Sequence, residues 1–303
     1  MKLNTIPSKP GTASGGDNSL QQDGANEQVR TRRRLKLPLG GIIGLLIVTF
    51  WALMAVFGPL LAPYDANAMP SDGYFGPLSL QFPLGTDYLG RDILSRLLHG
   101  APYTIGVALA ATVLACTAGV VLGMVAAASG GWIDAAISRT QDALIAIPNK
   151  IFALLMVASF GSSVPLLLVM AAFAYMPGSF RIARAVAVNV MTMDFVRVAR
   201  TRGEAMPYII FVEVLPNMLR PVATDFGLRF VYVVLLLSAM SFLGLGVQPP
   251  DADWGSLVRE NIQGLEEGAP AILAPAIAIA TLTMGVNLLI DSLGGRSKRE
   301  TEK

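Results

Sequence analysis

The sequence predicts an all-α membrane protein with six transmembrane helices and both termini cytoplasmic, and three observations predict it. The first is composition. Of 303 residues, 53% are apolar and 15% are charged, where soluble proteins carry about 25% charged residues, and the mean hydropathy is +0.56. The second is a series of long uncharged stretches, and the third is the uneven placement of arginines between them. Such a composition argues against a soluble enzyme. Lys plus Arg (23) nearly balances Asp plus Glu (21), so the charge calls for no nucleic acid. One cysteine, Cys116, and one histidine, His99, leave no disulfide framework and no Cys/His metal cluster. No Lys follows a Gly, so the sequence holds no P-loop. No catalytic residue, metal site or bound cofactor is therefore expected in this chain.

Residues 1–36 read as a disordered basic cytoplasmic tail. Up to residue 29 the chain is rich in Gly, Ser, Asn and Gln and cannot bury enough apolar surface to offset the entropy of ordering. Five basic residues follow between Arg30 and Lys36. The first transmembrane helix is expected over 37–61. Its uncharged run, 40–61, reaches about 33 Å at 1.5 Å per residue, against a hydrocarbon core of about 30 Å.

An extracytoplasmic loop, 62–100, leads to a core, 101–293, with uncharged stretches at 101–128, 151–180, 230–250 and 268–290. The second of these is interrupted by GSSVP at 161–165, which carries turn chemistry. It is therefore read as two spans, about 145–160 and 164–185, with Lys150, Arg181 and Arg184 snorkelling to the headgroups. Six spans place 17 Lys and Arg inside, leaving out the distant Lys2 and Lys9, against three outside, Arg91, Arg96 and Arg259. The positive-inside rule favours that arrangement over five spans, and it makes 294–303 a cytoplasmic tail.

The long inner segment contains amphipathic sequence. Phe195, Val196, Val198 and Ala199 interleave with Arg197, Arg200 and Arg202, as in a short surface helix. Gly203 is a helix stop, and a second helix can begin near Pro207. On pattern alone this is either a membrane-surface anchor or a docking knob. Outside, Asp87, Arg91 and Asp92 surround Gly90 as a local hydrogen-bonded cap. Gly244, Gly246, Pro249 and Pro250 turn the chain out of the fifth span, with Trp254 at the membrane interface. Asp225 and Arg229 stand one helical turn apart and can pair, and Asn287 and Asp291 repeat that spacing. Both pairs are placed near the cytoplasmic ends of their helices, as anchors or as part of a pathway.

Three segments carry a resemblance. The inner loop, 190–219, is similar in spacing to the EAA motif of ATP-binding-cassette importer permeases. Arg197, Val198 and Ala199 stand at its first three positions, Gly203 at its glycine, Glu213 after nine intervening residues, and Leu215 and Pro216 at its end; Glu204 and Ala205 fall within it. Arg197 replaces the family's glutamate, so the docking role carries over and a particular ion pair does not. LGTDYLGRDILSRLLHG (84–100) and SFLGLGVQPPDADWGSL (241–257) resemble the signature stretches of the second permease subunit of dipeptide and oligopeptide importers. FGPLLAPYD (57–65) resembles that subunit's amino-terminal segment.

The resemblance implies a type I importer transmembrane fold in the bacterial inner membrane, forming half of a pathway for short peptides or related small solutes. It implies as partners a homologous second permease subunit, ATPase subunits that bind ATP and magnesium, an extracytoplasmic solute-binding protein and membrane lipid. Gln248, Asp251, Asp253 and Trp254 are the expected contact for the binding protein. The alternative is a self-sufficient secondary transporter, which would need internal repeats; residues 40–160 show no self-similarity with 164–290.

Overall fold

A computed structural model describes residues 38–71, 73–266 and 270–301, the last nine without their side chains, as is Pro270. The expected tail, 1–36, lies outside the described residues. Helix α1 (Leu39–Leu61) is 23 residues long, about 34 Å at 1.5 Å per residue. After an irregular stretch comes the short α2 (Ile93–Ala101). A π-helical turn over Pro102–Gly106 joins it to α3 (Val107–Ser129). Helices α4 (Gly131–Ile145) and α5 (Asn149–Phe160) are bent by 81° at the Pro148 break. Then come α6 (Val164–Met191), α7 (Asp194–Thr201) and the single turn α8 (Met206–Tyr208). A second π-helical stretch, Ile209–Val214, runs into α9 (Leu215–Phe242). Helices α10 (Trp254–Glu260) and α11 (Leu273–Thr301) complete the order.

Side-chain proximities fix the direction of each crossing. Gly44 of α1 meets Gly285 and Leu289 of α11, and Trp51 Nε1 donates to Thr281 Oγ1 at 3.0 Å, so these helices are antiparallel. Gly119 of α3 lies on Met176 and Phe180 of α6, and Gly123 on Phe180 and Arg184, so α3 and α6 are parallel. Tyr175 pairs with the Tyr232 carbonyl and Ser179 with Asp225, so α9 returns antiparallel to α6. Gly227 meets Ile290 and Val286, so α11 runs against α9. The bent pair α4–α5 supplies the return between α3 and α6. The chain thus crosses the bundle six times, and the described chain begins and ends at the same end. Among the described residues five helices are long and apolar enough to span a membrane, or six if the bent pair is counted as one span.

Two apolar clusters divide the bundle lengthwise. One joins Ala101–Ala111, Phe230–Met240, Trp51 and Trp254 towards the end that carries residues 62–92 and 243–272, called here the loop end. The other joins Val120, Met124, Ala187, Val196, Ile209, Val214 and Met218 at the opposite, knob end.

Several boundaries differ from the sequence reading. The span expected over 145–160 is broken by Pro148 into a 12-residue helix, about 18 Å long. Ser163 caps α6 by accepting from Leu166 N at 3.4 Å, and α6 continues six residues beyond the expected 185, to Met191. The fifth span starts at Leu215 rather than 230, with Asp225 and Arg229 paired inside the helix, and ends at Phe242 rather than 250, just before the turn at Gly244. The closing helix continues through 294–301, expected as tail. Arg181 and Arg184 pair with acids of α4 rather than only reaching for headgroups. Arg184 holds Asp134 with two bonds of 2.5 Å, and Arg181 reaches Asp142 at 2.6 Å.

Helices α3 and α6 approach one another backbone to backbone. A Cβ built on Gly123 would lie 2.8 Å from Arg184 N and 2.9 Å from Ala183 Cβ. Small residues four apart permit such contact where lipid gives no hydrophobic drive to helix pairing. Gly123→Val is expected to destabilise the bundle by about 1–3 kcal/mol through overpacking, read as a lowered unfolding midpoint in detergent. Gly106→Ala, where nothing lies within 4 Å, should leave the midpoint unchanged.

Candidate functional site

The knob end presents a compact exposed unit. Val196 and Ala199 of α7 and Ile209 and Ile210 beyond the break are buried against α3 and α6, while residues 200–208 are exposed throughout. Gly203 has φ +80°. Gly203 N donates to Arg200 O at 3.0 Å, and Glu204 N donates to Ala199 O at 3.2 Å. These two bonds are the Schellman closure of α7, and the left-handed residue it needs is a glycine. No atom lies within 4 Å of a Cβ at this position, so the constraint is backbone conformation alone. Met206 starts the next turn, one residue before the expected Pro207.

Of the motif-aligned residues, Arg197, Val198, Glu204, Ala205 and Pro216 are exposed, Glu213 is half-buried and Ala199 is buried. Arg197 lies 3.8 Å from Asp194, both exposed, a pair of little energetic weight. Phe195, Val198, Met206 and Tyr208 give the exposed surface apolar character.

The loop end is closed by four charges. Asp87 Oδ2 lies 2.6 Å from Arg91 Nε and 3.0 Å from Arg96 Nη1. Glu260 Oε2 lies 2.9 Å from Arg91 Nη2 and 2.6 Å from Arg96 Nη1. Asp87 Oδ1 accepts from Leu89 N at 2.8 Å and Arg91 N at 2.9 Å. Two cations and two anions cancel, and the group ties the loop before α2 to α10. The expected local cap is present as well: Asp92 accepts from Ser95 N at 2.8 Å. Glu260, some 170 residues distant, was invisible to a reading of neighbours in sequence. Only the presence of two arginines for one well-placed aspartate in 87–96 could have signalled a missing acid.

Two residues expected to contact a binding protein are not presented. Trp254 is fully buried. Its Nε1 donates to Leu97 O at 3.0 Å and its N to Thr104 Oγ1 at 3.0 Å, and its ring meets Trp51 edge-on at 4.7 Å. Asp253 is buried as the N-cap of α10, accepting from Ser256 N at 3.2 Å and Gly255 N at 3.3 Å. Burial pushes its carboxyl up, and the hydrogen bonds from Ser241 and Ser256 oppose that. Gln248 and Asp251 remain exposed. Asp251 borders an open cleft of about 460 Å³ with Asp65, Asn67, His99 and Tyr103.

Asp225 and Arg229 pair as expected, Nε to Oδ1 at 3.1 Å, but not near a helix end. Arg229 is the fifteenth of 28 residues in α9 and packs on Gly178, the fifteenth of 28 in α6. The pair lies midway along α6 and α9 and, through the Gly227–Ile290 contact, level with the knob-end part of α11. Asn287 and Asp291 do not repeat it. Both are exposed on α11, and neither makes a hydrogen bond or ion pair among the described residues. No group of three or more His, Cys, Asp or Glu that could hold a metal occurs among the described residues.

The comparison with known proteins bears on what these parts belong to. Residues 119–302 match the family described as "Binding-protein-dependent transport system inner membrane component". The chain is a member of that family. This inner membrane component family accounts for α3 to α11, and residues 29–83 match a second description, "N-terminal TM domain of oligopeptide transport permease C". Among its relatives is the dipeptide transport system permease protein DppC of Alkalihalophilus pseudofirmus, 34% identical over 262 residues, covering 86% of each chain. The di/tripeptide transport system permease protein DppC of Pseudomonas aeruginosa is 33% identical, covering 84% of this chain and 85% of its own. The Escherichia coli dipeptide permease DppC is 32% identical, covering 84% and 87%. Membership makes the chain a non-catalytic permease component of the inner membrane.

Truncating the ion network on one side leaves an unbalanced buried charge. Glu260→Gln is expected to cost about 3–5 kcal/mol, measured as loss of the folded fraction in denaturant titration. Asp253→Asn, which keeps a capping oxygen and removes an ionisable group, should cost far less.

Proposed function

We propose that the chain is one of two homologous permease subunits of an ATP-driven importer of short peptides. In that importer separate ATPase subunits bind ATP and magnesium on the cytoplasmic face, and an extracytoplasmic solute-binding protein delivers the solute. The observation that carries the reading is the exposed knob at 194–208, held at a fixed angle by the Gly203 closure and seated on the ends of α3, α6 and α9. A partner that closes on ATP can press on such a unit and move the spans to which it is joined. The peptide relatives support the substrate class. The knob end is then cytoplasmic and the loop end extracytoplasmic, with the cleft beside Asp251 as the exposed polar surface for the binding protein.

Two measurements test this. Gly203→Pro removes the N–H bonded to Arg200 O and cannot adopt φ +80°, whereas Gly203→Ala costs about 1–2 kcal/mol of backbone strain without a clash. The proline variant should insert normally yet lose copurifying ATPase and peptide uptake in reconstituted vesicles, with the alanine variant intermediate. Normal uptake by Gly203→Pro would remove the coupling role. For orientation, single cysteines on a Cys116→Ser background should react with an impermeant reagent from outside at Leu80, which is fully exposed, and not at Thr201. The reverse pattern would invert the topology.

A further inference from the structure

At the level where α3, α6 and α9 have their midpoints, one cation is anchored by part of its surface and leaves the rest unspent. Asp225 is buried and accepts from Ser179 of α6 and from Arg229 Nε at 3.1 Å. Arg229 Nη1 and Nη2 make no hydrogen bond among the described residues, and the side chain keeps 16% exposure. Room for the guanidinium comes from a missing side chain. A Cβ on Gly178 would sit 2.5 Å from both Nη1 and Nη2 and 2.6 Å from Cζ. One turn along each helix, Tyr175 donates to the Tyr232 carbonyl at 3.1 Å, and the two rings stack at 6.2 Å. Pro177, just before Gly178, withholds a backbone N–H from Phe173 O in the middle of α6.

An arginine at the centre of a membrane helix costs about 2.5–3.5 kcal/mol on insertion scales, and such residues face a bundle interior or a water-filled path. Here Nε is committed to Asp225, which holds the plane in place, and the Nη1–Nη2 edge is the one whose two parallel N–H groups match a carboxylate. Asp225 also cancels the charge. A solute carboxylate would therefore meet two good donors but little net field, so it would bind weakly enough to leave, as conduction requires.

We propose that the Nη1–Nη2 edge of Arg229, set over Gly178 and fixed by Asp225 and Ser179, is a station within the helix bundle for the free carboxylate of the solute in transit. This rests on the permease reading given above and adds the chemical group recognised within the pathway.

The test uses the complete complex with its second permease, ATPase subunits and binding protein in lipid vesicles. Phenylglyoxal modification of Arg229 is followed by mass spectrometry with Ala-Ala or Ala-Ala amide present, and Arg139, exposed on α4 outside the knob, serves as control. Ala-Ala should slow modification of Arg229 about threefold or more, and the amide, lacking the carboxylate, should not. No modification of Arg229 in resting or nucleotide-bound complex, or equal protection by both compounds, would overturn the proposal.

Arg229→Lys keeps the charge beside Asp225 and loses the fork. It should assemble at wild-type yield, keep binding-protein-stimulated ATPase activity, and lower Ala-Ala uptake about tenfold. The double variant Asp225→Asn/Arg229→Gln leaves no unpaired charge, so its uptake should stay low, whereas wild-type uptake in it would show a structural pair only. Failure of the wild-type complex to take up any peptide would instead sink the peptide reading. The protection assay needs no uptake, so the two failures are distinguishable.

Discussion

Helix α6 lies against the backbone of α3 at Gly119 and Gly123, where added side-chain atoms would fall within 3 Å of Met176 O, Phe180 N and Arg184 N. From this pair the remaining elements take their places: α9 against the other side of α6 through Ser179 and Tyr175, α4 through Arg184, and α7 against their shared lower end. In lipid, apolar side chains gain little by leaving the solvent, so dispersion contact and a few polar ties must supply cohesion. Both are concentrated along α6. A helix that is close-packed on several sides cannot shift without moving its neighbours, which makes the bundle suited to two arrangements rather than a continuum.

Polar groups are spent differently at the two ends and the middle. At the loop end most are taken up: the four charges of Asp87, Arg91, Arg96 and Glu260 pair with one another, with Arg96 Nε left over, and the indole of Trp254 takes the Leu97 carbonyl. At the knob end they remain on the surface with Phe195, Val198, Met206 and Tyr208 between them. Midway along α6 and α9 the pair Asp225–Arg229 is only half used. Charges that are fully paired hold shape, and those left with open valence are available for encounter.

Much of this was legible in the chain. The number of crossings followed from arginine placement and the turn chemistry at 161–165, and the knob followed from the spacing of Val196, Ala199 and Gly203. Glycine breaks and charge bias are local signals, so they survive without tertiary knowledge. What failed depended on partners distant in sequence. The uncharged stretch of the fifth span stopped short of Asp225 and Arg229, which were placed at its cytoplasmic end as charges, whereas in the fold they neutralise one another within a longer helix. Trp254 read as an interface residue because tryptophan is common there, but Leu97 and Thr104 supply its hydrogen bonds inside. Asn287 and Asp291 had the right spacing and no pairing, since an asparagine adds no charge for the aspartate to meet.

The stretch from Met206 to Phe242 is one continuous helical rod of 37 residues, about 55 Å long at 1.5 Å per residue. It begins in the knob, passes Arg229, and ends beside α10, where Gly255 abuts Ser238. Such a rod has the proportions of a lever. A tilt of about 5° at its base would carry its tip some 5 Å over that length, roughly one helical turn. The π-helical segment at Ile209–Val214 lies close to the base, so under the proposed function a small push on the knob would reach the loop end as a gate-sized displacement.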